Sequence, residues 1–429
     1  MKPRKLLLMV TLACITTGLL FAAGTAETEK DGPVVISYYT WEDGCHKALI
    51  DTFNATHSHI QVDAQILPAD GYETKLTTLL SGRADIDAFM EKRQVDMFGQ
   101  YSNGYLEPLD SYIAATGQPN AAVEAFKSSS VIDGDIVVIP WRGGAYYTYY
   151  NEKVFEKAGI PTPDYYVEQG EWTWEKFEEV SKAITAADPS LTGSSIYIWG
   201  GLGFYQAGQA GDDIVTPAGE IDSIENVVKQ LEMRKRLEDL QAMWSLIDMK
   251  VTKLHYSKQF YDGKVGMLLI GEWFPGQMVI GRDDGLLTYD FEDWGITRLP
   301  CDQEEYVTVG LPTGNCITTY SKKKDAAFEF INWMSGPEGA AVAASYGVLP
   351  AAPGEEARAI IAKNLPKGNS IDYFLEEKGN HTANFSQYGT RVETEFAKLQ
   401  EDYLLGNITI GQFRTAFTKA LNNIIETTY

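Results

Sequence analysis

The chain has 429 residues, of which 44% are hydrophobic and 22% are charged, so it is globular and long enough for two domains. Its net charge of −23 at pH 7 argues against a nucleic-acid partner, because phosphates require basic surfaces. The 4 cysteines and 5 histidines form neither a CxxC motif nor a Cys/His cluster, which argues against a metal site.

The first element is a leader, and residues 1–24 are predicted to be a cleaved signal peptide. Cations fall within the first five residues, an apolar run covers 6–23, and small residues surround Gly24. The alternative is a lipoprotein acylated at Cys14, which follows Thr11-Leu12-Ala13. Either route exports the protein, to the periplasm or the cell exterior. Cleavage would remove three cations and no acid, taking the net charge from −23 to −26.

Strands and helices then alternate along the chain. Period-2 or continuous apolar patterns predict strands at 34–39, 60–67, 131–140 (a hairpin turning at Asp133-Gly134), 146–150 and 265–270. Helical spacing of apolar residues predicts helices at 46–57, 71–80, 152–158, 174–184, 223–246, 325–334 and 392–404. This alternation predicts α/β domains, each with a sheet packed between helices.

Two of these strands end in an acid beside a tryptophan. Trp41-Glu42-Asp43 follows the first strand, and Gly271-Glu272-Trp273 ends the apolar run 265–270. In α/β sheets, ligands bind beyond the carboxyl ends of the strands. Sugars also require this combination, since an aromatic ring covers the C–H face of the sugar and carboxylates accept its hydroxyl protons.

Two further segments mix aromatics with glycine. Residues 141–146 (WRGGAY) follow the strand that ends at Pro140, and 199–205 (WGGLGFY) repeat the mixture. Each segment fits either a structural turn or a ligand site, because glycine allows both. Trp172 and Trp174 are instead predicted to anchor a helix start, with Thr173 as its cap.

These motifs resemble the extracellular solute-binding proteins of ABC sugar transporters, the family of the maltose-binding protein. The resemblance rests on YNEKVFEKAGI (150–160), TWEKF (173–177), YDGKVGM (261–267) with its GEW end, AAFEFI (326–331), and GVLP (347–350). It covers nearly all of the chain from Val34 to Ile425. One departure is Ala84, where the family usually has proline.

The resemblance implies a two-lobed fold of the periplasmic-binding-protein type II, with a ligand cleft between discontinuous lobes joined by a hinge. The expected N-terminal lobe comprises 33–141 plus 296–336, and the C-terminal lobe comprises 146–293 plus 346–429. The chain would cross between lobes near 141–146, 294–300 and 335–346.

The resemblance also implies ligand-binding positions in this sequence. Trp41, Glu42 and Asp43 match the first sugar-contacting loop. Phe89 matches a stacking aromatic, with Lys92 as a polar neighbour. Trp273 matches a stacking tryptophan, and Glu272 would accept hydroxyls beside it. The remaining candidates are Trp141, Arg142 and Tyr146 from the segment 141–146, Trp199 from the segment 199–205, and Tyr388 from a later loop.

Three cysteines remain after removal of the leader. Cys301 and Cys316 flank a short stretch that looks like two extended arms around a loop, so they could form a disulfide in an oxidising compartment. Cys45 would then be a buried small residue rather than a reactive thiol.

The sequence therefore predicts an exported, non-enzymatic and monomeric receptor for a neutral sugar or short oligosaccharide. It would deliver the sugar to the membrane permease of an ABC importer, without a cofactor or metal. Two alternatives stay open: a secreted glycoside hydrolase, because acids and aromatics also line such clefts, and a receptor for polyamines, because the chain is acidic.

Overall fold

A computed structural model describes residues 32–41, 44–310, 312–366, 370–375, 380–381 and 384–428. The leader, Cys14, Glu42 and Asp43 lie outside these residues. The strands are Val34–Trp41 (β1), Ile60–Leu67 (β2), Ala88–Glu91 (β3), Val131–Ile132 (β4), Asp135–Ile136 (β5), Ile139–Arg142 (β6), Tyr146–Asn151 (β7), Thr192–Ile196 (β8), Val265–Gly271 (β9), Trp294–Arg298 (β10), Thr308–Val309 (β11), Thr313–Ile317 (β12) and Asn380–His381 (β13).

Helices fill most of the intervals between the strands. They are His46–Thr56 (α1), Tyr72–Ser81 (α2), Met97–Ser102 (α3), Asp110–Ala115 (α4), Ala121–Ala125 (α5), Lys127–Ser130 (α6), Glu152–Ala158 (α7), Pro163–Glu168 (α8), Trp174–Ala187 (α9), Tyr205–Ala210 (α10), Glu225–Asp239 (α11), Leu246–Thr252 (α12), Tyr256–Tyr261 (α13), Phe274–Asp283 (α14), Lys324–Ser335 (α15), Pro337–Ser345 (α16), Glu355–Asn364 (α17), Ser370–Phe374 (α18), Gly389–Leu404 (α19) and Ile410–Thr427 (α20). Short 3₁₀ turns cover Gln94–Asp96 and Gly200–Phe204.

The first lobe is built on a five-stranded sheet in the order β2-β1-β3-β12-β6. β1 pairs in parallel with β2 and β3, whereas β12 runs antiparallel to both β3 and β6. Helices α1, α2 and α15 cover this sheet, and their apolar faces close a core around Tyr38, Phe53 and Phe330. Trp41 is the last residue of β1, so it lies where the carboxyl ends of the parallel strands β1, β2 and β3 meet.

The second lobe is built on a four-stranded sheet in the order β10-β7-β9-β8. β9 lies inside this sheet, antiparallel to β7 and parallel to β8, and all seven of its residues are buried. Burial on both faces explains why its sequence is a continuous apolar run rather than an alternating one. The predicted strand at 265–270 is confirmed.

Three chain segments connect the lobes. Only residues 143–145 separate β6 in the first sheet from β7 in the second, at the place where a crossing was predicted. The predicted start of the second N-terminal-lobe segment at 296 is wrong, because 294–298 pairs with β7 in the second sheet. The chain returns to the first sheet only at β12. α16 makes the third connection, since Ala343 packs in the first core while Ala340 and Ala344 pack in the second.

The predicted long helix at 223–246 is wrong at its C-terminal end. α11 ends at Asp239, and Gln241 takes a left-handed conformation with φ 57°, which breaks the helix. Met243 then pairs with Ser194 beside β8. The gain of sheet pairing and burial outweighs the helical spacing that the sequence shows here.

The predicted disulfide is also wrong. Cys316 is buried in β12 in the first core, whereas Cys301 follows β10 and its amide donates to the carbonyl of Trp172 in the second lobe. Both are free thiols, as is Cys45. Cys45 is fully buried in the first core, which confirms its predicted packing role.

Candidate functional site

A cavity of about 880 Å³ is lined by residues from both lobes. Trp41 reaches it from the carboxyl end of β1, and Trp273 reaches it from just beyond the carboxyl end of β9. The two strand ends that the sequence singled out therefore meet at one site, as the strand-end rule for α/β sheets requires. The crossing segments also contribute to the wall, through residues that include Gly310, Thr313 and Tyr346.

Aromatic side chains dominate this wall. Trp199 and Trp273 lie with ring centroids 5.9 Å apart and planes inclined at 53°, and Tyr146 meets Trp273 edge-on at 5.9 Å. Trp199 is 43% exposed, so much of its surface faces the opening. The aromatic wall is completed by Trp41, Tyr205 and Tyr256. The rings of Trp199, Trp273 and Tyr146 are at least partly exposed and differ in inclination, which suits the C–H faces of a ring-shaped polar ligand.

Gly271 sets the position of the Trp273 ring. A Cβ atom at Gly271 would lie 2.0 Å from Cζ3 of Trp273, well inside contact distance, so only glycine allows the indole to fold back over the strand end. The indole Nε1 then donates to the hydroxyl of Tyr256 at 2.9 Å. The strand end, the glycine and this hydrogen bond fix the ring before any ligand arrives.

Gly271→Ala is expected to push the Trp273 ring out of place and weaken ligand binding by roughly tenfold, with a loss of about 1–3 kcal/mol in unfolding free energy from overpacking. Tryptophan fluorescence titration and urea unfolding measure the two effects. Gly411→Ala is the matched control, because the space around Gly411 in α20 is open. Equal affinities for the two variants would contradict the role given to Gly271.

A buried ion pair underlies the aromatic wall. Nε of Arg142 lies 3.2 Å from Oε1 of Glu272, and both residues are buried, at 6% and 0% exposure. The guanidinium carbon lies 5.6 Å from the ring centroids of Trp41, Trp141 and Trp273, so one cation contacts three indoles. Such an arrangement combines charge pairing with cation–π attraction and holds the strand ends of the two lobes together.

Each charged side chain of the wall in the described chain has an oppositely charged partner. Nζ of Lys92 lies 3.3 Å from Glu73 and also donates to the carbonyl of Ala69. Arg93 pairs with Glu393 at 3.0 Å. The wall residues Arg142 and Asp283 pair with Glu272 and with Arg282, respectively. The described part of the wall therefore contains charges but little uncompensated charge.

The structure brings together part of the predicted set. Six of the predicted residues line the cavity: Trp41, Lys92, Arg142, Tyr146, Trp199 and Trp273. Their contact with a ligand stays a prediction. Trp41 is only 4% exposed, because Lys92 and Arg142 lie over its ring.

Four predicted ligand contacts are wrong in their placement. Phe89 and Trp141 are 0% and 1% exposed and pack inside the first core. Tyr388 packs with Phe396 and Phe417 in a separate core formed by α11, α19 and α20. Glu272 is fully buried and faces Arg142, so it supports the wall from behind rather than meeting a ligand.

Several wall residues were not identified from the sequence. Gln94 follows the end of β3, so the strand-end rule could have found it. His255 and Tyr256 start α13, and Glu393 belongs to α19, where no local pattern marks them. Burial lowers the pKa of His255, which favours a neutral imidazole on the wall. Burial raises the pKa of Glu393, whereas Arg93 counteracts that shift.

A buried carboxyl lies just behind the wall at Glu91. Burial and the nearby Asp96 raise its pKa to about 8, so the carboxyl is largely protonated at pH 7. Gln100 lies 2.6 Å from Oε2 of Glu91, and the Gln100 amide oxygen has no partner among the described residues. Since an amide can be turned over, the protonated carboxyl can donate to that oxygen.

Glu91→Gln is expected to stabilise the protein at pH 8 and change little at pH 5. Between pH 4.5 and 8 the folded chain keeps a proton that the unfolded chain releases, so stability falls as the pH rises through this window. The amide removes that loss, with a gain on the order of 1–3 kcal/mol at pH 8. Thermal unfolding at both pH values measures the effect. A variant less stable than the wild type at pH 8 would show that Glu91 is ionised in the folded state.

In the described parts of the chain, no helix is long and apolar enough to cross a membrane. Nor do three or more His, Cys, Asp or Glu side chains come together there in a way that could hold a metal ion. The described wall presents aromatic faces, an imidazole, hydroxyls, amides and paired charges.

The fold and the cavity define a two-lobed α/β binding protein of the periplasmic type II class. The chain belongs to the family of bacterial extracellular solute-binding proteins, whose model matches residues 46–341. Membership in this family makes it an exported protein.

Similar proteins extend this comparison. A binding protein of Brucella abortus is 25% identical over 336 residues, which is 74% of each chain. The crystal structure of a Rhizobium etli sugar transporter in an open conformation superposes with a TM-score of 0.74 at 22% identity, covering 92% of this chain and 100% of that one. An ABC substrate-binding protein of Listeria monocytogenes, in complex with cycloalternan, superposes with a TM-score of 0.73 at 22% identity. The match covers 92% of this chain and 99% of that one. These structures share the fold of this chain.

Proposed function

We propose that the protein captures a neutral sugar or short oligosaccharide in the cavity between its lobes and delivers it to an ABC importer. The observation that carries this proposal is the described wall itself, in which the partly exposed rings of Trp199, Trp273 and Tyr146 accompany charges that are already paired. Sugar rings stack on such faces, and their hydroxyls bond to polar groups without bringing charge.

The pairing of the wall charges favours a neutral ligand. An anionic ligand would need a free cation, yet Lys92, Arg93 and Arg142 each have a carboxylate partner. A polyamine would need free carboxylates, yet those of the described wall, Glu73, Asp283 and Glu393, each have a cationic partner. A charged ligand would have to break these pairs, whereas hydroxyl groups can bond to them from outside.

The size of the cavity favours a ligand of more than one ring. At about 880 Å³ it lies near the upper end of the roughly 300–1,000 Å³ common for small-molecule sites. The similar Listeria protein was solved in complex with cycloalternan, which is consistent with sugar recognition in this fold.

A binding role is favoured over hydrolysis. A glycoside hydrolase needs two carboxyls held roughly 5–9.5 Å apart on either side of one bond. Among the described residues, Glu272 is fully buried against Arg142, and Glu393 is paired with Arg93. Glu73 and Asp283, the other carboxyls of the described wall, are paired with Lys92 and Arg282. None of these four is poised as a free acid or base, so we infer that the protein is not an enzyme.

The transport role brings further proposals. Closure of the lobes about the three crossing segments would present the loaded receptor, as a monomer, to the permease.

We propose that the first lobe comprises 33–141 and the segment from β12 to 336. The second lobe then comprises 146–310 and 346–429. Cleavage near Gly24 remains the proposed processing, with acylation of Cys14 as its alternative.

One titration series tests the proposal against its alternatives. Wild-type protein is titrated with glucose, maltose, maltotriose, cellobiose, cellotriose and raffinose, with tryptophan fluorescence as the signal and chromatography of the recovered sugar. Saturable binding with the sugar recovered intact is expected. Steady cleavage would establish a hydrolase. A melting-temperature shift with putrescine or spermidine, and with none of the sugars, would establish a polyamine receptor.

A further inference from the structure

Three buried polar side chains on the cavity wall have no hydrogen-bond partner among the residues that the structure describes. Gln94 is fully buried, and neither its amide oxygen nor its amide nitrogen is paired. The hydroxyls of Thr313 and Tyr205, residues that are 7% and 2% exposed, are unpaired as well. Buried polar groups without partners are unfavourable, and these three share one cavity wall, where a partner from outside the chain can reach all of them.

These side chains converge from both lobes. Gly314 pairs with Glu91, so Thr313 lies at the end of β3, and Gln94 follows that same strand end. Tyr205 starts α10 in the second lobe, where its ring meets Tyr146 at 5.2 Å. A ligand between the lobes can therefore meet an amide and a hydroxyl on one side and a phenol on the other.

We propose that Gln94, with Thr313 and Tyr205, holds hydroxyl groups of the bound sugar and that Gln94 determines specificity. This inference rests on the function proposed above. A carboxamide offers one acceptor and two donors, so Gln94 can accept from one hydroxyl and donate to its neighbour. A site built to bond a hydroxyl discriminates strongly against the analogue without it, because its own groups are then left unpaired.

The same groups make closure depend on the ligand. In a closed but empty cleft, Gln94, Thr313 and Tyr205 lose water and gain nothing in return. A sugar that bonds to them favours the closed state over the open one, which is the differential affinity that ligand-driven closure requires.

The matched pair of variants is Gln94→Met and Gln259→Met. Gln259 is 2% exposed with both amide atoms unpaired, like Gln94, but it does not line the cavity. With the panel sugar that binds the wild type best, Gln94→Met is expected to weaken affinity at least tenfold, and Gln259→Met less than twofold. Without sugar, Gln94→Met should melt no lower than the wild type, because it removes groups that have no protein partner.

Each outcome decides the question. A tenfold loss of affinity in Gln94→Met alone, at unchanged melting temperature, supports the inference. Equal affinities for the two variants overturn it and leave the proposed function standing. A clear drop in the melting temperature of unliganded Gln94→Met also overturns it, by showing that Gln94 has a structural partner. Failure of every panel sugar to bind the wild type overturns the proposed function and this inference together.

Discussion

Trp273→Ala is expected to weaken sugar binding by roughly 30- to 100-fold, equivalent to about 2–3 kcal/mol, while the protein stays folded. Trp273 presents its indole to the cavity, meets Trp199 and Tyr146 at 5.9 Å, and is held by Tyr256. Removing the ring takes away a stacking face that is already fixed in position. Titration with the best sugar of the panel measures the loss.

Trp294→Ala is the matched control. Trp294 is fully buried in β10, in the same lobe and core as Trp273, but does not line the cavity. The Trp294→Ala variant is expected to lose about 3–5 kcal/mol of unfolding free energy, while the affinity of its folded fraction for the sugar is unchanged. If Trp273→Ala destabilised the protein as much as Trp294→Ala, its indole would be a core residue and the stacking role would be wrong.

The sequence predicted well those features that depend on local pattern. The apolar run of β9 is continuous because both faces of the strand are covered, and that pattern is legible without any knowledge of the fold. The end of this strand, at Gly271 and Trp273, could also be predicted as part of a ligand site, because ligands bind at strand ends in α/β sheets.

The same local pattern could not separate wall from core. Phe89 and Trp141 stand on strands whose every residue is buried, so alternation carries no information about which side faces the cavity. Glu272 follows a strand end as predicted, yet its carboxylate pairs with Arg142 and is buried behind the wall. Which of two neighbouring side chains turns toward a ligand depends on a partner from another part of the chain.

Long-range contacts account for the residues that were missed. Arg93 and Glu393 are 300 positions apart in sequence and meet across the cavity at 3.0 Å. The disulfide prediction failed for the converse reason. Cys301 and Cys316 are close in sequence, but the chain crosses from one sheet to the other between them. Residues that are close in sequence can therefore lie in different lobes when the chain crosses between them.

Arg142→Met is expected to cost about 3–5 kcal/mol of unfolding free energy, because it leaves the carboxylate of Glu272 buried without its charge partner. Arg142 and Glu272 are 6% and 0% exposed, so solvation by water compensates little for the lost interaction. Urea unfolding measures the change. Lys153→Met is the control, since Lys153 is 54% exposed and the loss of its pairs with Glu156 and Asp293 should change the midpoint little.

The double variant Arg142→Met with Glu272→Met distinguishes a charge effect from a packing effect. If the single variant is unstable because a charge is stranded, removing both charges restores most of the lost stability, and the two substitutions are strongly non-additive. If the alkyl stem of Arg142 and its contacts with Trp41 and Trp273 matter more, the double variant is no more stable than the single one. We expect the double variant to recover most of the lost stability, because a buried charge without its partner is unfavourable whether or not the contacts with the indoles are kept.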